Sequence, residues 1–214
     1  MMNILLTNPQ KIYISASIAA VILVILLTVI FVYKKWYAKK HYKEATYFIL
    51  SKIAKENDYL LLNNYTINFD ESHIGVIDHI LISKKYIIVI NDFPISGVVS
   101  GEMRDRSLRV VKSNKDIKNI SNPLNYNINL IKRLNIYHRL DRELVKGLVV
   151  VNNDSEIVME NSGDQFQMIR QKDLKKIIRR IDKVDVKNLK QGDVENFINK
   201  LYQENVLRRE NENQ

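Results

Sequence analysis

The stretch GVIDHILISKKYIIVINDFPISG, residues 75–97, sits across two apolar, β-branched runs, 74–82 and 86–91, parted by the polar residues SKK. Such runs bounded by a turn read as adjacent strands. One acid, Asp78, is planted inside the first run, and Asn91, Asp92 and Phe93 stand where the second run ends. A carboxylate in an apolar strand is costly unless it is paired or hydrogen-bonded, so Asp78 marks a candidate site. Strand alternation sends adjacent residues to opposite faces. By that rule Asp78 should face Asn91 across the strand pair. Asp92 and His79 should point the other way.

Outward from this pair, residues 59–68 form a further strand, set off by NFDES at 68–72. Before it, EATYFILSKIAK at 44–55 places Tyr47, Leu50, Ile53 and Ala54 on one helical face, with Glu44 at its start. After it, ISGVVSG and SLRVVKS read as a hairpin with Gly97 and Gly101 at tight backbone positions. Asn122 and Pro123 open a helix running to about Leu140. GLVVVNN at 147–153 is a buried strand and QFQMIR at 165–170 an edge strand. Two amphipathic helices, KDLKKIIRRIDKV and GDVENFINKLYQENVLRR, close the chain. The order helix, three strands, helix, strand predicts an α/β core on a mixed sheet.

The chain has 214 residues, is 46% hydrophobic and 27% charged, and contains no cysteine, which excludes disulfides and thiolate metal sites. Its net charge of +9 invites a nucleic-acid reading. Yet residues 1–43 hold six lysines and no acid, whereas 44–214 hold 27 basic and 24 acidic residues. Most of the excess therefore belongs to the amino-terminal segment rather than to a DNA-binding face.

Residues 12–33 carry no charge and include AAVILVILLTVIFV. As a helix they would span about 33 Å, enough for a hydrocarbon core of roughly 30 Å. Tyr13 flanks one end and Tyr33, Trp36 and Tyr37 the other, as interfacial rings do. The expectation is a transmembrane helix over 12–33 following a short extracytoplasmic segment, 1–11. A basic juxtamembrane segment, 34–43, then keeps the remaining chain on the cytoplasmic side and contacts lipid headgroups. The protein is expected in the cell membrane as a single-pass chain.

The IDH of strand 74–82, the Ser96, Gly97 and Gly101 spacing after the next strand, and the NPL at 122–124 together resemble the nuclease-related domain, NERD, of the restriction-endonuclease-like superfamily. The resemblance implies a domain over 44–155, followed by a strand and helical extension over 156–214. It also implies a Mg²⁺-dependent phosphodiester chemistry, in which carboxylates hold the ion and a lysine stabilises charge. The family-matching positions here are Glu44 on the helix, Asp78, Asn91 where a glutamate is usual, Phe93 where a lysine is usual, and Tyr126 where a glutamine is usual. Lys43 stands where a glycine is usual. A metal, if held, would fall to Asp78 and Glu44.

Bland alternatives stand beside these. Asp78 also fits an acid paired with a lysine or a backbone amide, and Glu44 a helix-start acid. Lys84 and Lys85 read as a solvated turn, and Arg104, Arg106 and Arg109 as a solvated hairpin. His41, His73, His79 and His138 show no ligand spacing. The reading leans against catalysis: a membrane-anchored NERD-like domain with a degenerate site, needing no cofactor, that binds nucleic acid or a protein partner. The alternatives are an active divalent-metal nuclease using Asp78 and Glu44, and a structural membrane component.

Overall fold

The computed structural model describes residues 17, 18, 20–33, 41–70, 73–113, 115–160, 163, 165–184, 189 and 191–212. Two compact units are present, Met1–Tyr42 and Lys43–Gln214.

In the first unit, residues 20–33 are helical, with apolar side chains from Val21 to Tyr33 exposed and Thr28 bonded back to the Val24 carbonyl at 2.8 Å. This run spans about 21 Å at 1.5 Å per residue. Among the described residues no helix is long and apolar enough to cross a membrane, so the spanning helix expected over 12–33 is not found there. Residues 1–16, 19 and 34–40, on which the rest of that expectation falls, lie outside the described residues.

Helix α1, Tyr42–Asn57, lies in the second unit from Lys43 onward and buries Thr46, Leu50, Ile53 and Ala54. Tyr47, expected inside, is exposed, and Thr46 takes the inner position by accepting from Gln171 Nε2 at 2.9 Å. Strands β1 (Leu60–Asp70), β2 (His73–Ile82) and β3 (Ile87–Asp92) follow in antiparallel succession. β3 is buried throughout, as a central strand's unbroken apolar run requires. β4 (Gly97–Glu102), β5 (Ser107–Val111) and β6 (Ile117–Ser121) form a second antiparallel ladder. Helix α2 (Pro123–His138) is capped by Asn122, whose side chain accepts from the amides of Leu124 and Asn125. Then come β7 (Val145–Val151), β8 (Ser155–Glu160), β9 (Phe166–Arg170), and helices α3 (Leu174–Lys183) and α4 (Gln191–Glu212).

The single mixed sheet expected from sequence is two mixed sheets. One has the order β1-β2-β3-β7-β9 and the other β6-β5-β4-β8. β3, β7 and β9 run parallel, as do β4 and β8. β6 and β8 escape sequence reading because IKNIS and SEIVME are short and half polar; each is a strand only by virtue of its partner.

Two cores result. Ile80, Ile82, Ile87, Val89 and Val145 pack under Leu130, Ile131 and Leu134 of α2, joined by Phe197 and Leu201 of α4. Val99, Leu108, Val110, Leu124, Val149, Val151 and Met168 form the other, with Phe93 and Ile95 against them. α2 lies so close on β7 that a Cβ at Gly147 would collide with Asn127 Oδ1 and Ile131. Gly97, at φ +114, adopts a conformation that side chains resist.

His138, at the end of α2, is buried edge-on to the rings of Phe197 and Tyr137, at 5.0 and 4.9 Å, and neither ring nitrogen has a protein partner. Burial, aided by Lys200, lowers its pKa from 6.5 to about 4. The unfolded chain thus binds a proton below about 6.5 that the folded chain refuses until about 4, and stability must fall as pH drops through that window. Thermal unfolding of wild type should show a falling Tm between those limits. His138→Phe should flatten that arm of the profile.

Candidate functional site

The site grows from an interruption in a ladder. β1 and β2 pair regularly through Asn63↔His79 and resume at Tyr65↔Ile77, skipping Asn64 and Asp78. Asn64 has φ 53, a left-handed conformation that asparagine tolerates better than most residues. The register is the same on either side, and it is the alternation of faces that changes at this point. Tyr65, Ile67 and Ile77 join the same core as Ile80 and Ile82, although strict alternation would place Ile77 on the opposite face.

This change frees Asp78 from the α2 face. Its Oδ2 accepts the Asp92 backbone amide at 2.9 Å, just beyond the last β2–β3 pair, His79↔Ile90. Its Oδ1 accepts from Lys43 Nζ at 2.7 Å. The partners anticipated for Asp78, a lysine and a backbone amide, are both present. Lys43 has its pKa raised, first by this hydrogen bond and then, against some burial, by the charges of Asp78 and Asp92, so it stays an ammonium across neutral pH.

Beside this pair, His79 bridges Asn63 Oδ1 at 2.7 Å and Asp92 Oδ2 at 3.2 Å. The Asp92 side chain is fully buried and its Oδ1 has no hydrogen-bond partner. Asp78, His79 and Asp92 line one cleft of about 370 Å³ with Lys43, Glu44, Tyr47, Asn63 and Asn64. Alternation had set Asp92 and His79 on the far side from Asp78. The break at Asn64 and Asp78 overturns that, and Asp92 is the residue that pattern reasoning missed. A hint was available: an asparagine opposite the buried acid, suited to a left-handed bend.

Asp78 and Glu44 therefore share a cleft. The other family-matching positions lie outside its lining and have structural partners. Asn91 does not face Asp78; it turns to α2, accepting from Asn127 Nδ2 at 2.9 Å and donating to the Val76 carbonyl at 3.0 Å. Tyr126 receives the Val76 amide at 3.0 Å and donates to its carbonyl at 3.3 Å. Phe93 packs into the second core while its amide donates to the Val150 carbonyl at 2.8 Å. Lys84 is exposed, and Lys85 donates to the carbonyls of Asp182 and Val184, so neither faces the cleft.

A hard divalent ion needs carboxylate oxygens converging with water in near-octahedral array. Among the described residues no group of three or more His, Asp or Glu side chains is arranged to hold a metal. Asp78 already spends both oxygens, on Lys43 and on the Asp92 amide. In this arrangement the donor set does not fit Mg²⁺.

The α/β fold with its mixed sheets, carrying a buried acid on the second of three antiparallel strands, is consistent with a nuclease-like core. The chain belongs to the nuclease-related domain family, NERD, whose model matches residues 39–152. No curated protein and no solved structure matches it significantly.

The two partners of Asp78 differ in worth. Lys43 keeps 63% of its side chain exposed, so Lys43→Ala should cost about 0–1 kcal/mol. Asp78→Ala also strips the acceptor from a buried amide and should cost about 1–3 kcal/mol. Urea unfolding of both variants checks the order; equal losses would contradict it.

Proposed function

We propose that this is a single-pass membrane protein whose cytoplasmic NERD domain no longer cuts nucleic acid and acts by binding a protein partner at the membrane. One observation carries the non-catalytic reading. Asn91 and Tyr126 both hold the backbone of Val76, and Phe93 packs against a core, so positions that would supply charge and hydrogen bonds to a reacting phosphate are committed to the fold. Losing one preorganised donor costs on the order of a hundredfold to a thousandfold in rate.

Charge favours a protein over nucleic acid at the cleft. Glu44, Asp78 and Asp92 line it against the ammonium of Lys43, a balance that repels phosphate. Membrane attachment rests on the uncharged residues 12–33 and on the lysines at 34, 35, 39, 40 and 43. The short outer amino terminus follows from the same asymmetry. The active-nuclease alternative keeps one point in its favour, the shared cleft of Asp78 and Glu44.

Two experiments decide. Purified protein incubated with Mg²⁺ or Mn²⁺ and labelled single- and double-stranded DNA and RNA should leave all four intact; cleavage abolished by Asp78→Ala would restore the nuclease alternative. Salt-dependent binding of uncut nucleic acid would instead move the partner from protein to nucleic acid. For topology, a fluorescent reporter fused at the carboxyl terminus should be active inside the cell and should sediment with membranes. Activity of an exported phosphatase at that position would reverse the orientation, and a soluble fusion would remove the anchor.

A further inference from the structure

Asp78 and Asp92 enter the cleft as neighbours: the backbone amide of one is hydrogen-bonded to the carboxylate of the other at 2.9 Å. Two carboxylates lining one cleft repel each other unless a cation lies with them. Sequence supplies that cation from an unexpected place, the first turns of α1, where Lys43 reaches Asp78 Oδ1 at 2.7 Å. Asp92 attracts the same ammonium. Its own Oδ1 remains buried and without a hydrogen-bond partner.

We propose that Lys43 is an internal counter-cation that closes the cleft to divalent metal, and that withdrawing its charge turns Asp78 and Asp92 into a two-carboxylate cation site. The donors are Asp78 Oδ1, released by the lysine, and Asp92 Oδ1, which faces no partner now. Magnesium and manganese are commonly held by one or two carboxylates with water completing the shell, so a third protein ligand is not required. The cleft has room for those waters, each occupying about 30 Å³. Because the Lys43 stem is largely exposed, the ammonium enters from the solvent side and can leave without disturbing the core. The acid involved is one residue beyond the position where a glutamate was expected, and Glu44 is not needed.

This inference rests on the reading of the cleft as non-cutting, and its test does not depend on cleavage. The probe is Mn²⁺, titrated against the full chain in detergent micelles with free ion read by electron paramagnetic resonance. Wild type is compared with Lys43→Met, which keeps the stem and removes the charge. Removing a unit positive charge near the ion at an effective dielectric of about 20 should tighten binding at least about tenfold. Adding Asp78→Asn or Asp92→Asn to Lys43→Met should return affinity to the wild-type level, with thermal unfolding confirming that each variant is folded. Should Lys43→Met fail to fold, Lys43→Gln takes its place under the same criterion. Equal affinity in wild type and the charge-free variant, or a gain that survives both carboxamide changes, overturns the proposal. Nucleic-acid cleavage by wild type would refute the non-cutting reading separately and leave the Mn²⁺ comparison interpretable.

Discussion

Where the ladder between β2 and β3 gives out, the Asp92 amide is donated to the carboxylate of Asp78 rather than to a backbone carbonyl. A buried amide left unpaired costs on the order of 1–3 kcal/mol, so the side chain takes over a duty of the main chain. The second oxygen then faces the cleft and finds Lys43. Around that one carboxylate are settled the gap in β1–β2 pairing at Asn64 and Asp78, the contact with Lys43 of α1, and the sharing of one cleft with Asp92 and His79. The cleft is less a pocket left between elements than a consequence of how one acid is satisfied.

On the opposite side of the same strand pair, side chains are committed to holding the backbone. Val76 has both of its backbone groups engaged by side chains, its carbonyl by Asn91 and Tyr126 and its amide by Tyr126. Asn127, fully buried in α2, completes the set by donating to Asn91. An amide side chain suits this place because it offers a donor and an acceptor at once, whereas a carboxylate offers acceptors alone. Glutamate at 91 would set a charge against the Val76 carbonyl and give that carbonyl no hydrogen.

Charge separates the two ends of the protein's chemistry. The lysines that dominate the net +9 lie before residue 44, whereas the cleft is lined by three carboxylates. The basicity of the chain as a whole thus says little about the domain. What meets the cleft has to tolerate negative charge.

Sequence alone determined the elements whose signal is local: α1, the three strands of β1–β3, the hairpin of β4 and β5, the Asn122-capped α2, the buried β7 and the edge strand β9. Each is long or periodic enough, or clearly enough capped, to be read from its own residues. Asp78 and Glu44 stood out in the sequence as charges beside apolar residues, and the structure places both on one cleft. Tertiary structure decided the rest. β6 and β8 are strands because remote segments pair with them, and the split into two sheets depends on which strand β8 chooses. Asn91 and Asp92 keep the faces that alternation gives them, and the departure of Asp78 coincides with a left-handed residue at Asn64 in the neighbouring strand. Alternation is a property of an undisturbed strand, and an irregularity imposed from across the ladder reverses it without leaving a mark in the strand's own sequence.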